Sequence, residues 1–216
     1  MFKYSQKPYA IYVTDDKITP KGEIDNMKIL ALMGSPKLSG STAKLLSQFV
    51  NGARAAGSEV EVINFQEENI HPCDACDMCE CGDKDFCVYN DSMRGIMKKV
   101  GEADAFVLAT PVWWTGASSL TKLFLDRLYG YNTSKFFGGK GIYLITMLYD
   151  SRPHKHQLPG ADIVGYVIQS VSDFAGMEFI GHLRGSSTGG VIDDMKMLDK
   201  AYTEGMNFVK ILSHAN

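Results

Sequence analysis

Short apolar runs alternate with amphipathic stretches through most of this chain. Each run is short enough for a strand that is buried on both faces of a parallel sheet, and the stretches between the runs carry apolar residues at helical spacing. The pattern predicts strands at residues 29–33, 60–65, 103–110, 142–147 and 179–183, and helices at residues 41–53, 91–100, 118–127, 161–175 and 198–212. Because strand and helix alternate five times, we expect an α/β fold in which helices cover both faces of an open parallel sheet.

The first strand ends at Gly34, and a loop rich in hydroxyl side chains joins it to the first helix. Free backbone N–H groups and the positive end of the helix dipole meet at such a junction, which favours anion binding. The loop has neither the lysine of a Walker loop nor the glycines of a Rossmann fingerprint, and its hydroxyls suit a terminal phosphate. The alternative is an ordinary connection with Ser41 as the N-cap. The candidate phosphate ligands are Ser35, Lys37, Ser39, Gly40, Ser41 and Thr42.

Both tryptophans of the chain follow the third strand. Ligands of open parallel sheets bind beyond the carboxyl ends of the strands, so these indoles and the hydroxyl loop should border one crevice. The indoles could fill the core or contact another subunit, or they could flank a planar redox ring whose atoms accept hydrogen bonds from the backbone. The candidate ring contacts are Pro111, Val112, Trp113, Trp114, Thr115 and Gly116.

A cysteine-rich segment, residues 67–91, contains five cysteines and eight acidic side chains but one basic side chain. An odd number of cysteines packed within residues 73–87 indicates metal or redox chemistry in a reducing compartment instead of a disulfide framework. Thiolates that are separated by two intervening residues, at Cys73, Cys76 and Cys79, can wrap round one [4Fe–4S] cluster. Zinc and unmetallated thiols are the alternatives for the cysteines, and a docking surface for a basic partner is the alternative for the acidic side chains.

The composition is that of an ordinary globular protein, with 216 residues of which 45% are hydrophobic and 22% are charged. We expect an N-terminal arm at residues 1–26 and one domain at residues 27–216. The formal net charge of -3 gives no reason to expect a nucleic acid or an anionic membrane as a partner. Because the chain shows neither an apolar run that could cross a bilayer nor the apolar core of a signal peptide, we expect a cytoplasmic protein.

Motifs in a fixed order along the chain resemble those of the NADPH-dependent FMN reductase and iron–sulfur flavoprotein family. They fall within residues 27–130 and lie at residues 34–46, 73–79, 90–93, 110–114 and 122–127. The resemblance implies a three-layer, flavodoxin-like fold whose five-stranded parallel sheet has the order 2-1-3-4-5. It also implies bound FMN and a homodimer or a homotetramer.

The same resemblance implies roles for individual residues. The FMN phosphate would be held by Ser35, Lys37, Ser41 and Thr42, with Ser39 and Gly40 completing the loop, and residues 111–116 would pack against the isoalloxazine. The cluster ligands would be Cys73, Cys76, Cys79 and Cys87, with Cys81 as an additional thiol. Lys37, Ser41 and Trp113 depart from the arginine, asparagine and tyrosine that are common in the family. A lysine lacks the bidentate reach of an arginine, which predicts weaker phosphate binding.

The sequence therefore predicts an NAD(P)H-dependent, FMN-binding oxidoreductase. NAD(P)H would deliver hydride to flavin N5, and the electrons would pass to a quinone, free flavin or another small acceptor, with a cluster as an optional carrier. No side chain is assigned as a catalytic acid or base, because the cofactor supplies the chemistry. The alternatives are a non-enzymatic carrier between redox proteins and a cofactor-free interaction module. Lys122, Asp126 and Arg127 are interpreted as a structural or intersubunit charge set, and residues 185–190 as a flexible lid or a dimer loop.

Overall fold

The computed structural model describes residues 27–80, 87–131, 133–149, 160–188 and 191–215. The strands of these residues are β1 (Lys28–Met33), β2 (Glu59–Asn64), β3 (Ala105–Trp113), β4 (Gly116–Ala117), β5 (Gly141–Leu148) and β6 (Glu178–Ser186). The helices are α1 (Ser41–Ala55), α2 (Ser92–Glu102), α3 (Ser119–Arg127), α4 (Thr133–Phe137), α5 (Gly160–Ala175) and α6 (Met195–Ala215). Single 3₁₀ turns occur at Phe65–Glu67, Met78–Glu80 and Leu128–Gly130.

Five of the described strands run parallel in the order β2-β1-β3-β5-β6, and the short strand β4 pairs antiparallel with the end of β3. This arrangement confirms the α/β, flavodoxin-like fold and the expected order of the parallel strands, with β4 as an addition. The strands β1 and β3 are central because their apolar side chains can be buried on both faces of the sheet. In β1 every residue after Lys28 is at most 2% exposed.

Two apolar layers lie on opposite faces of the sheet, since successive residues of a strand point to opposite sides. Leu30 and Leu32 belong to the layer that includes side chains of α2, α3 and α5. Ile29 and Ala31 belong to the layer that includes side chains of α1 and α6. The helices α1 and α6 approach so closely that a Cβ atom at Gly52 would lie 1.9 Å from a carbonyl oxygen of α6. This helix pair therefore requires glycine at the contact.

The observed elements differ from the predicted ones mainly where a tertiary contact extends or ends a strand. The third strand continues through Trp113 instead of ending at residue 110, because Val112 and Trp113 pair with β4. The second strand ends at Asn64, and Phe65, predicted as its last residue, begins a 3₁₀ turn. The apolar pattern predicts neither β4 nor α4, because each is too short to show a period.

The N-terminal arm, residues 1–26, lies outside the described residues, as does Cys81. The division of the chain into an arm and a domain therefore stays a prediction. None of the helices that the structure describes is both long enough and apolar enough to cross a membrane.

Candidate functional site

The loop between β1 and α1, which we call the hydroxyl loop (residues 34–40), closes on itself through two hydrogen bonds. The amide of Lys37 donates to Ser35 Oγ over 3.2 Å, and the amide of Gly40 donates to the carbonyl oxygen of Lys37 over 3.1 Å. Ser35 and Gly40 are buried, whereas Lys37 and Ser39 are exposed. The loop therefore has a fixed backbone and presents a cation and a hydroxyl group at its surface.

The first turn of α1 is suited to an anion. Its N-cap is Gly40, which has no side chain to accept from the helix amides, and the turn carries no acidic residue. The positive end of the helix dipole is therefore not offset by a capping carboxylate. Thr42 is buried in this turn. The alternative in which Ser41 is the N-cap is wrong, since Ser41 is the first residue of the helix.

Ser41 contacts a segment that is distant in the sequence. Its Oγ accepts a hydrogen bond from the amide of Ile192 over 2.9 Å, and the ammonium group of Lys44 donates to the carbonyl oxygen of Ile192 over 3.2 Å. Ile192 is itself buried. The chain that follows the glycine-rich run 185–190 is thus fixed beside the hydroxyl loop. Gly189 and Gly190 lie outside the described residues, so the role of that run as a lid or a dimer loop stays a prediction.

A buried network of hydroxyl groups joins the ends of β1 and β3. Ser118, the N-cap of α3, donates from Oγ to the carbonyl oxygen of Gly34, and its amide donates to Thr110 Oγ1 over 3.1 Å. The same Oγ accepts from the amide of Thr121 over 3.1 Å. Ser118, Thr110 and Thr121 are all 0% exposed. The network therefore holds the start of the hydroxyl loop close to the residues after Thr110, at the carboxyl ends of the neighbouring strands β1 and β3.

Residues 111–116 form a tight β-hairpin, which we call the Trp hairpin. Trp113 pairs with Gly116, and the two residues between them have positive φ angles, 48° at Trp114 and 65° at Thr115. A two-residue hairpin loop requires such angles, which glycine and asparagine adopt more readily than a bulky side chain. Trp114 is 100% exposed. The alternative in which this indole fills the core is therefore wrong, and Trp113 is also exposed over about half of its surface, at 49%.

Two cysteines of the cysteine-rich segment are at the surface and two are partly inside. Cys73 and Cys76 are exposed, whereas Cys79 and Cys87 are half-buried. Burial and the neighbouring charges of Cys87 and Glu80 raise the pKa of the Cys79 thiol. Among the residues that the structure describes, no three histidine, cysteine or acidic side chains lie close enough together to hold a metal ion.

Cys79 and Cys87 nevertheless converge on Gly130, in the turn after α3. A Cβ atom at Gly130 would lie 3.1 Å from the Cβ of Cys87 and 3.7 Å from the Cβ of Cys79. The backbone between the first three cysteines turns sharply, because Ala75 and Asp77 have positive φ angles of 53° and 56°. Two of the four predicted ligands thus meet at one point, and the other two lie on a strongly curved loop.

Arg127 is separated from Lys122 and Asp126, with which the sequence pattern groups it. Lys122 and Asp126 form an exposed ion pair one helical turn apart. The side chain of Arg127 is only 1% exposed, and its Nη1 lies 2.6 Å from Oδ2 of Asp91. Burial alone would raise the pKa of Asp91, but the hydrogen bonds and charge of Arg127 lower it on balance. The sequence signal for this burial is the helical spacing that aligns Arg127 with Phe124 on the apolar face of α3.

Two stacked aromatic rings join the start and the end of the cysteine-rich segment, one before its first cysteine and the other after its last. The rings of His71 and Tyr89 stack with centroids 3.9 Å apart. The hydroxyl group of Tyr89 donates to Asp74 over 2.6 Å, and this hydrogen bond raises the pKa of Tyr89 to about 12. The segment is therefore held by polar and aromatic contacts that do not involve its thiols.

Residues 27–168 match the family model of the NADPH-dependent FMN reductases. An iron–sulfur flavoprotein of Methanocaldococcus jannaschii is 34% identical over 101 residues, which are 47% of this chain and 51% of the relative. An FMN-dependent NADPH-azoreductase of Staphylococcus saprophyticus is 31% identical over 103 residues, which are 47% of this chain and 52% of the relative. The chain spans about half the length of the curated relatives it matches.

A solved structure is similar over most of the chain. It is an NAD(P)H:quinone oxidoreductase from Methanothermobacter marburgensis, with a TM-score of 0.61 and 19% identity, and the match covers 85% of this chain and 97% of that one. At this identity the likeness concerns the fold alone. The region that matches the family model contains the hydroxyl loop, the cysteine-rich segment and the Trp hairpin. By this match the chain belongs to the NADPH-dependent FMN reductase family.

Proposed function

We propose that this chain is an FMN-dependent oxidoreductase that takes electrons from NAD(P)H and passes them to a small-molecule acceptor. Membership of the family supports the cofactor and the electron donor. The observation that carries the proposal is the hydroxyl loop, which Ser118 joins at Gly34 to a hairpin whose Trp114 is fully exposed. An anion site close to an exposed aromatic surface suits a flavin that ends in a phosphate.

The start of α1 fits the phosphate of FMN. Gly40 leaves the helix amides without a side-chain cap, and the exposed ammonium group of Lys37 supplies a positive charge. A serine hydroxyl can donate and accept at the same time, so the hydrogen bond that Ser41 accepts from Ile192 is compatible with a role as ligand. The proposed ligands are Ser35, Lys37, Ser39, Gly40, Ser41 and Thr42.

The isoalloxazine ring fits against the Trp hairpin. Backbone amides of the hairpin can donate to ring nitrogen and oxygen atoms, and an indole can cover a ring face. When bound, FMN supplies the redox chemistry by accepting hydride and releasing electrons. The residues of the chain orient the ring and limit the access of water, and none is proposed as an acid or a base. The proposed ring contacts are Pro111, Val112, Trp113, Trp114, Thr115 and Gly116.

We also propose that Cys73, Cys76, Cys79 and Cys87 hold a [4Fe–4S] cluster. The convergence of Cys79 and Cys87 on Gly130 supports this ligand set, and so does the sharp curvature of the loop that carries the first three cysteines. A relative matched over 101 residues is named an iron–sulfur flavoprotein.

Anaerobic purification followed by flavin, iron, sulfide and zinc analysis tests both cofactors. We expect one FMN per chain, together with about four iron and about four sulfide ions. Cys87→Ser should lose iron and sulfide, whereas Cys81→Ser, the matched control, should keep both. Zinc in place of iron, or thiols without any metal, would contradict the proposed cluster. The flavin analysis would still decide the flavin site separately.

Anaerobic mixing with NADPH or NADH tests the activity. We expect the flavin absorbance to bleach, since a reductase accepts hydride from the nicotinamide. If dithionite bleaches the flavin and both nicotinamides fail, the non-enzymatic carrier between redox proteins replaces the enzyme. Quinones, free flavins and azo compounds can then be compared as electron acceptors at a fixed NADPH concentration.

We further propose that the chain forms a homodimer or a homotetramer. Trp114, Tyr166 and Phe174 are exposed aromatic side chains, and exposed aromatic surface is typical of protein interfaces. Light scattering of the purified chain gives the mass directly, and a monomer at micromolar concentration would contradict this proposal. The cytoplasmic location stays a prediction.

A further inference from the structure

Arg127, Asp91 and the backbone of the exposed His71 form a polar cluster in which the two charged side chains are buried, and we call it the Arg127 hub. Nη1 of Arg127 donates to Asp91 Oδ2 over 2.6 Å and to the carbonyl oxygen of His71 over 2.7 Å, and Nη2 donates to Asp91 Oδ1 over 3.2 Å. Asp91 Oδ2 also accepts from the amide of His71 over 2.9 Å. Because a buried charge is stable only when it is paired, these contacts hold their partners in one arrangement.

The Arg127 hub joins the two ends of the loop that carries the cysteines. His71 lies two residues before Cys73, and Asp91 lies four residues after Cys87. Asp91 is in addition the N-cap of α2, and accepts from an amide of that helix over 3.1 Å. The ends of the loop are therefore fixed against both α2 and α3.

Cys87 lies beside the hub. The guanidinium carbon of Arg127 lies 5.2 Å from the ring centroid of Tyr89, which is two residues after Cys87. Cys79 meets Cys87 at Gly130, three residues after Arg127 in the chain. The guanidinium group is thus next to the point where two proposed cluster ligands converge.

Among the residues that the structure describes, one N–H group of Arg127 has no acceptor. Its Nε is buried, and no hydrogen-bond partner for it occurs within the described part of the chain. Buried donors in folded proteins are normally satisfied, so an unsatisfied donor in the Arg127 hub is available to a further acceptor. Sulfur atoms of iron–sulfur clusters accept hydrogen bonds, and these bonds tune the reduction potential.

We propose that Arg127 is the positioning residue of the cysteine-rich segment: it holds Cys79 and Cys87 together at Gly130, and its Nε–H group donates a hydrogen bond to a sulfur atom of the iron–sulfur cluster. The second role rests on the proposed cluster, whereas the first rests on the hub alone. A donor to sulfur stabilises the more negative, reduced form of a cluster, so the loss of this donor lowers the midpoint potential.

Two hub variants and one control test this inference. Arg127→Lys keeps the charge but not the planar fork of donors. The double variant Asp91→Asn/Arg127→Gln removes both charges of the ion pair, so that no buried charge is left unpaired. Arg94→Gln is the control, since Arg94 is exposed and donates to the carbonyl oxygen of Cys87 over 3.5 Å without belonging to the hub. Iron and sulfide per FMN and the midpoint potential by EPR-monitored titration are measured on the anaerobically purified full chain.

We expect both hub variants to keep FMN, which shows that they are folded, and to contain less iron and sulfide than the unmodified chain. The cluster that remains in Arg127→Lys should have a more negative midpoint potential, whereas Arg94→Gln should match the unmodified chain. Unchanged iron content and potential in both hub variants would overturn the inference and leave the proposed cluster intact.

An unmodified chain without iron and sulfide would overturn the proposed cluster, and with it the donor role of Nε. The holding role is then decided by alkylation of the metal-free protein, followed by mass spectrometry of the cysteine peptides. Cys87 should react faster in the hub variants than in the unmodified chain, while the exposed Cys73 keeps its rate. Equal rates for Cys87 in all variants would overturn the holding role as well.

Discussion

The Oγ of Ser118 donates a hydrogen bond to the carbonyl oxygen of Gly34, and so joins the start of α3 to the end of β1. The amide of Gly34 in turn donates to the carbonyl oxygen of Ala109, in β3, over 2.7 Å. The residue that opens the hydroxyl loop is therefore fixed by two other elements. Because α3 follows directly on the Trp hairpin, the same contact sets the distance between the two parts of the proposed flavin site.

We expect Gly34→Ala to destabilise the fold and to weaken FMN binding. A Cβ atom at this position would lie 1.9 Å from Thr121 Oγ1 and 3.2 Å from Thr121 Cβ, so the buried side chain of Thr121 would have to move. Overpacking of this kind lowers the free energy of unfolding by about 1–3 kcal/mol. Urea unfolding and the FMN content of the purified chain measure the two effects.

Gly95→Ala is the matched control for that substitution. Gly95 lies inside α2, and a Cβ atom there meets nothing within 4 Å. Alanine should therefore raise the free energy of unfolding by about 0.5–1 kcal/mol through its better helix propensity. Equal stability and equal FMN content in the two variants would contradict the role given to the contact at Gly34.

We expect Lys37→Ala to weaken FMN binding without destabilising the fold. Lys37 is exposed, so its removal opens no cavity, but a charged donor to the phosphate is lost. Loss of such a charge-assisted hydrogen bond should weaken binding by roughly tenfold or more. The change should shrink at high salt, because salt screens exposed charges.

Fluorescence titration of the flavin-free protein with FMN measures this effect. Lys28→Ala is the control, since Lys28 is also exposed but lies at the opposite end of β1. If Lys37→Ala and Lys28→Ala bind FMN with the same affinity, the phosphate does not lie at the hydroxyl loop.

We expect His182 to make the protein less stable in acid. Its Nε2 lies 2.7 Å from Thr146 Oγ1, and burial, with the charge of Arg184, lowers the pKa of His182 to about 3. An unfolded histidine has a pKa of about 6.5, so below that pH the unfolded state binds a proton that the folded state excludes. The free energy of unfolding should therefore fall by up to about 1.4 kcal/mol for each pH unit below about 6.5.

Urea unfolding at about pH 7.5 and about pH 5 measures this loss. His182→Gln should remove most of the difference between the two values, because glutamine does not titrate. His214→Gln, at the exposed end of α6, is the control and should behave like the unmodified chain. The same acid dependence in all three proteins would show that another group is responsible.

We expect Trp114→Asn to stabilise the flavin-free protein and to weaken FMN binding. Trp114 has a φ angle of 48° and is fully exposed. Its replacement therefore relieves backbone strain and removes few packing contacts. Asparagine adopts this conformation readily, and the gain should be about 1 kcal/mol in the free energy of unfolding. Tyr166→Asn is the control, because Tyr166 is exposed on α5 in helical conformation. Lower stability of Trp114→Asn would argue against strain at the hairpin.

The elements that the sequence predicts best are those with local signals. In α3 the N-cap Ser118 and the apolar spacing that ends at Arg127 both lie within one short stretch, and the helix forms where they indicate. The hydroxyl loop and the Trp hairpin could be chosen as candidate sites for the same reason, since their chemistry lies in contiguous residues. The pairing of Trp113 with Gly116 could not be predicted, because a strand of two residues has no period.

The sequence by itself determined the five parallel strands, the five longest helices and the segments that carry chemistry, because neighbouring residues decide which face of an element is apolar. Only the tertiary structure decided that Ser41 meets Ile192, 151 residues away, and that Arg127 pairs with Asp91. It also brought Cys79 and Cys87 to Gly130. These contacts depend on the order of the strands and on how the helical layers pack against them, and no local pattern of apolar and polar residues encodes either.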